Sequence, residues 1–150
     1  MEYLYKVCEI SVKYHTNEES DKKLFVKTKE DAVKILRGFM QEDIELEEMT
    51  YGVILGPSLK VIGCINIGRG DLTSCVINSK KLISACLLCN GNAVIMAHNH
   101  PSGNLEPSSA DIRMAKKLDK ACSIMDIQLI DTIILTKDNA NSFIDKVKWD

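Results

Sequence analysis

Apolar and polar positions change period several times along the chain, and each change marks an element. Residues 5–14 alternate, with Cys8, Ile10, Val12 and Tyr14 on one side and Glu9, Ser11 and Lys13 on the other. A period of two predicts a strand with one wet face. Residues 15–23 are polar and read as a loop. Residues 29–41 carry Ala32, Val33, Ile35, Leu36, Phe39 and Met40 at helical spacing. Thr28 is the expected N-cap of this helix, and Asp31 completes a capping box.

Residues 50–55 and 60–67 read as strands joined through Gly56-Pro57-Ser58, which is turn chemistry. Gly68-Arg69-Gly70-Asp71 reads as a second turn, and a short apolar stretch follows at 72–77. Residues 79–90 form a helical pattern that predicts Leu82, Ile83, Cys86, Leu87 and Cys89 facing inward. Ala93-Val94-Ile95-Met96-Ala97 is a continuous apolar run, the mark of a strand covered on both faces. Turn formers fill His98 to Asn104. Residues 108–124 are helical, with Ile112, Ala115, Leu118, Cys122 and Met125 expected to face the core. Residues 127–135 make a last strong strand, and the remainder to Asp150 is weakly patterned. Alternating strands and helices predict an α/β or α+β class, with a mixed sheet between helices. No repeat or internal linker divides residues 1–150, so one domain is expected.

Composition narrows the function classes. The 150 residues are 45% hydrophobic and 27% charged, which excludes a disordered tail, a collagen-like chain and a disulfide scaffold. Nineteen basic against twenty-one acidic residues leave a net charge of −2, with no global excess to neutralise phosphates. Lys80-Lys81 and Lys116-Lys117 are short basic runs only, so weak non-specific affinity for nucleic acid is expected. The start of the chain lacks a signal-peptide pattern, and no apolar run approaches a membrane span. The six cysteines are scattered through strands and helices. A reducing cytoplasm with free thiols and no membrane partner is the expectation. Cys86-x-x-Cys89 has no second pair, so it reads as two positions of a packed helix.

The chemistry gathers between His98 and Asp111. In extended chain, residues two apart point to the same side, about 6–7 Å apart along the strand. His98 and His100 therefore leave the end of the buried strand on one side, and two imidazoles so placed can converge on a metal ion. Pro101 and Gly103 turn the chain, and Asp111 lies near the start of the next helix. Two histidines and one carboxylate are a ligand set for catalytic zinc, with the fourth position left to water. Sheets with parallel strands tend to place ligands beyond the strands' carboxyl ends. A purely structural account competes: Ser108-x-x-Asp111 is also a capping box, so helix initiation alone explains both residues. Against it stands the cost of leaving two imidazoles at a buried strand end without a role.

His98-x-His100, seven residues, Ser108, two residues, Asp111 resembles the JAMM motif of the JAB/MPN metal-dependent hydrolases. The fuller string His98-Asn99-His100-Pro101-Ser102-Gly103-Asn104-Leu105-Glu106-Pro107-Ser108 resembles the RadC branch. Ile44-Glu45-Leu46-Glu47-Glu48, Ile67-x-x-Gly70 and Ile127-x-Leu129-x-Asp131 extend the likeness over a core of about residues 45–135. An N-terminal strand and helix over residues 5–41 precede that core. The resemblance implies a mixed sheet flanked by helices, a deaminase-like α/β/α sandwich. It implies zinc held by His98, His100 and Asp111, with Ser108 steadying a tetrahedral intermediate. It also implies an upstream glutamate as general base, at Glu48, with Glu47 as the neighbour most easily confused with it.

On this reading the metal activates water and polarises a carbonyl, and the substrate is a peptide, isopeptide or related amide. Two departures bear on the site's surroundings. The RadC-like pattern commonly reads Asp-His where this chain has Asp131-Thr132, and Pro-Arg-Glu where it has Ser79-Lys80-Lys81. The DNA-binding N-terminal region of longer RadC proteins is expected to be missing. Two other functions follow from the same resemblance: a DNA-repair-associated protein, and a non-catalytic MPN-fold interaction module. The presence of all five polar positions speaks against the last.

Overall fold

The computed structural model describes residue 11 and residues 24–71, 74–75 and 77–145. The strand expected over 5–14 and the loop over 15–23 lie, but for Ser11, outside the described residues. Helix α1 (Lys29–Met40) is followed by β1 (Glu48–Leu55), a 3-10 turn (Pro57–Leu59), β2 (Val61–Asp71) and β3 (Ser74–Cys75). Helix α2 (Ser79–Leu88), β4 (Ala93–Asn99), α3 (Ser109–Ile124), β5 (Gln128–Leu135) and β6 (Ala140–Asp145) complete the order. The strands form one six-stranded sheet in the order β3-β2-β1-β4-β5-β6. Among the described strands only β4 and β5 run parallel, joined by the α3 crossover, so the sheet is mixed.

The sheet is buried on both faces. On one side α1 sets Ala32, Leu36 and Met40 against Val53, Leu55, Ile95 and Ile133. On the other, Leu82 and Cys86 of α2 and Leu118 and Cys122 of α3 cover Ile54, Val94, Met96 and Leu129. This explains why all seven residues of β4 are buried and why its sequence shows no alternation. Alternation survives in the placement: Ala93, Ile95 and Ala97 face α1, and Val94 and Met96 face α2 and α3. His98 continues the second row and Asn99 the first.

Two contacts set how closely the layers approach. A Cβ at Gly52 would lie 2.3 Å from Leu82 Cδ1, so the absence of a side chain there lets α2 sit down on β1. Arg37 of α1 donates to the carbonyls of Thr136, Lys137 and Asn139 at 2.7, 2.7 and 2.9 Å, tying the helix to the β5–β6 turn.

The structure corrects several expectations. Gly68 to Asp71 is not a turn: β1 begins at Glu48 and supplies partners Glu48↔Gly70, Met49↔Arg69 and Thr50↔Gly68, so the strand runs on through its glycines. A register shift between Thr50 and Tyr51 absorbs the irregularity. Leu87 is exposed because α2 ends one residue later, whereas Cys89, the C-cap, packs half-buried against the core as expected. Ile112 and Met125 are also exposed, since Asp111 takes the inward place at the start of α3 and Met125 is its C-cap. The weakly patterned tail contains β6, whose Asn141 and Ser142 hide the strand from an apolar count. Cys64, Cys86 and Cys89 are free thiols. Burial pushes Cys64 up to about 12 and Cys86 up to about 11, which keeps both protonated and unreactive near neutral pH.

Candidate metal centre

Strand β4 delivers His98 to the α2–α3 side of the sheet at its carboxyl end. The chain then turns through Pro101, Ser102 and Gly103, where Gly103 adopts φ +83° and its amide donates to the His100 carbonyl at 3.0 Å. His100 Nδ1 lies 2.7 Å from the Asn104 carbonyl. A carbonyl can only accept, so Nδ1 carries the proton and Nε2 keeps its lone pair for the site. Ser102 and Asn104 close the loop with side-chain acceptors for the amides of Asn104 and Glu106.

Helix α3 brings the third group. Ser108 Oγ accepts from the Asp111 amide at 3.1 Å, and Asp111 Oδ2 accepts from the Ser108 amide at 2.7 Å, a complete capping box. The same carboxylate faces the histidines, with Oδ1 3.2 Å from His98 Nε2 and Oδ2 3.4 Å from His100 Nε2. The two Nε2 atoms are 3.0 Å apart. Burial raises the Asp111 carboxyl, but the hydrogen bond and charge of His98, with the Ser108 amide and hydroxyl, outweigh it and hold the group well below the usual carboxylate range.

These residues fit a metal. Metal–ligand bonds of about 2.0–2.1 Å in a tetrahedral centre place donor atoms roughly 3.3–3.4 Å apart. The two imidazole nitrogens are 3.0 Å apart, and each has a different oxygen of the Asp111 carboxylate at 3.2 or 3.4 Å, close to that figure; with one donor atom taken from each residue, all three lie within 4.8 Å of one another. His98, His100 and Asp111 are the group of donors among the described residues that can hold an ion. His98 Nδ1 is buried without a hydrogen-bond partner among the described residues, and the ring meets Phe143 edge-on with centroids 6.2 Å apart.

The centre opens on a cleft of about 470 Å³ whose lining includes Glu48, Ile77, His98, His100, Glu106, Ser108 and Asp111. Glu48, the first residue of β1, therefore shares the cleft with the ligands, whereas Glu47 pairs with Arg69, which also faces Asp43. A larger groove of about 870 Å³ between α1 and the β5–β6 turn contains no histidine or cysteine. Behind the centre, Asp131 accepts from the Thr132 amide at 2.7 Å and the Ser142 hydroxyl at 2.6 Å, securing β6. The Thr132 hydroxyl, at the place where the RadC-like pattern has histidine, is buried with no partner among the described residues.

The residue that sequence reasoning passed over is Asn99. It is fully buried and bonds three backbone groups, the amide of Met49 and the carbonyls of Ile44 and Glu47. An asparagine between two histidines in a stretch of turn formers reads as loop polarity. The available signal was parity: Asn99 falls on the inward row of Ala93, Ile95 and Ala97, where a polar side chain needs partners.

A mixed sheet layered between helices, with two histidines and a carboxylate gathered at the end of its central parallel strand, defines an α/β fold with three donors placed where they can hold an ion. The chain belongs to the RadC-like JAB domain family, which matches it over residues 26–148. A UPF0758 protein of Actinobacillus pleuropneumoniae is 39% identical over 105 residues, 69% of this chain and 48% of that protein. One from Bordetella avium is 33% identical over 99 residues, covering 66% and 44%. One from Finegoldia magna is 32% identical over 95 residues, covering 63% and 43%. The chain thus spans less than half the length of these relatives. No helix among the described residues is long and apolar enough to cross a membrane.

Proposed function

We propose that this domain is a zinc-dependent hydrolase of peptide, isopeptide or related amide bonds. The observation that carries the reading is convergence: donors from β4 and α3 meet at metal-ligand separations on the same cleft as Glu48 and Ser108. His98, His100 and Asp111 would hold the ion, which would supply Lewis acidity for activating water and polarising a carbonyl. Glu48 takes a proton from the attacking water and passes it to the departing amine. Ser108 Oγ is occupied as an acceptor by the Asp111 amide, and its own O–H donates to the developing oxyanion. One such donor is worth about 10²–10³ in rate.

The test uses zinc-loaded protein and a panel of quenched peptides and lysine isopeptides. Glu48→Gln should retain equimolar zinc and lose roughly 10²–10⁴ in rate. Failure of the wild type to hold zinc, or full activity in Glu48→Gln, overturns the assignment.

A second reading, association with nucleic acid, has one observation in its favour. The exposed side of α3 carries Arg113, Lys116, Lys117 and Lys120 at helical spacing, and α2 adds exposed Lys80 and Lys81 on the same layer. These six basic residues share one layer despite the net charge of −2. Charge reversal at Lys116 and Lys117 should lower both duplex affinity and its salt slope; affinity that is immeasurable at low salt removes this reading.

A further inference from the structure

The ladder between β1 and β4 ends at Thr50↔His98, two residues short of Glu48 and of the position opposite His100. Beyond that point the side chain of Asn99 takes the place of a strand. Its Oδ1 accepts from the Met49 amide at 2.7 Å, and its Nδ2 donates to the Glu47 carbonyl at 2.8 Å and the Ile44 carbonyl at 2.7 Å. Glu47 and Met49 are the immediate neighbours of Glu48, so the clamp grips the backbone on both sides of the residue that lines the cleft. Two donors and one acceptor facing two carbonyls and an amide fit a carboxamide and no other side chain of this length.

We infer that Asn99 is a positioning residue, fixing Glu48 relative to the metal centre. Three consecutive residues of one strand end divide the work. His98 and His100 supply metal ligands, and Asn99, on the opposite face of the sheet, holds the base-bearing end of β1. Because all three share one backbone, a displacement of β4 carries base and ligands together. The inference rests on the hydrolase reading for its catalytic consequence, but the mechanical part stands on the three hydrogen bonds alone. A 1 Å displacement of a reacting group can cost about 10²-fold in rate, which sets the size of the expected effect.

Cobalt-loaded protein gives a readout independent of turnover. In the wild type the Glu48 and Met49 amides should show single, well-defined paramagnetic shifts. In Asn99→Ala these should move and broaden while the shift of Ala97, within the ladder, stays in place. Unchanged shifts at Glu48 overturn the inference. The kinetic arm is a cycle with Glu48→Gln. Asn99→Ala should lower kcat about 10²-fold with KM unmoved, and the double variant should be no slower than Glu48→Gln alone. Multiplying effects would show that Asn99 acts by another route and overturn the assignment. Should Asn99→Ala fail to fold, Asn99→Ser keeps a polar group at the position and carries both measurements. If the wild type hydrolyses nothing, the hydrolase reading falls, and the Glu48 shift still decides the clamp.

Discussion

Helices α1 and α3 begin with the same device, and the two copies do different things. At α1, Thr28 Oγ1 accepts from the Asp31 amide at 3.2 Å, and Asp31 Oδ2 accepts from the amides of Thr28 and Lys27, both at 2.9 Å. At α3, Ser108 and Asp111 repeat the reciprocal pair at 3.1 and 2.7 Å. Locally the boxes are equivalent, and each satisfies helix amides that would otherwise lack partners. What differs is the neighbour. Asp31 is held below the ordinary carboxylate range by backbone amides, first Lys27 and then Thr28. Asp111 sits within 3.4 Å of two imidazoles, so its capping bonds also aim a carboxylate at a metal position. The cap acts there as the support that orients a ligand. The capping and ligand accounts of Asp111 are therefore compatible, because one carboxylate can cap the helix through one set of contacts and face the imidazoles through the other.

The largest expected effect separates the two aspartates. Asp111→Asn should lower zinc affinity by more than the roughly 10–100-fold typical of losing a supporting contact, while Asp31→Asn leaves it unchanged. Competition titration against a chromogenic chelator measures both. Equal affinities in Asp111→Asn and wild type would reduce Asp111 to a helix cap.

A smaller effect should appear in thermal stability. A ligand bound only by the native state at a hundredfold excess over Kd stabilises by about 2.7 kcal/mol, or about 5–11 °C in Tm for a domain of this size. Zinc should raise the Tm of metal-stripped wild type and of Asp31→Asn by that amount. His98→Ala should lose the rise. A rise of equal size in His98→Ala would place the zinc elsewhere.

The smallest effects test whether the boxes are locally alike. In metal-free protein, Thr28→Ala and Ser108→Ala should each cost about 1 kcal/mol, the usual value of an N-cap. Only Ser108→Ala should also slow hydrolysis. The α1 box has a pH signature as well. Because the folded Asp31 pKa is lowered, its contribution is complete above the ordinary value of 3.8 and is lost as pH falls through the folded pKa. The stability gap between wild type and Asp31→Asn in urea should therefore shrink at acid pH. A gap that widens on acidification would contradict the assigned bonds.

Much of this molecule is decided by local rules that a single sequence carries. The capping boxes at Thr28 and Ser108, the unbroken apolar run of β4 and the helical steps of α1 and α3 all follow from the geometry of their own segments. So does the pairing of His98 with His100 on one side of a strand end, because side-chain direction alternates with a fixed period. Tertiary structure decided the rest. Gly68 to Asp71 became strand because β1 reached far enough to pair with it, a fact held in another segment. β6 formed because β5 offered an edge to its polar sequence. Glu48 rather than Glu47 faces the cleft, since Arg69 takes the latter. Asn99 found three backbone partners around residues 44–49, about fifty positions away in the chain. Which of two capping boxes of the same type meets a pair of histidines is likewise invisible to the cap itself. Local geometry determines what each segment can present, and only packing determines what it is presented to.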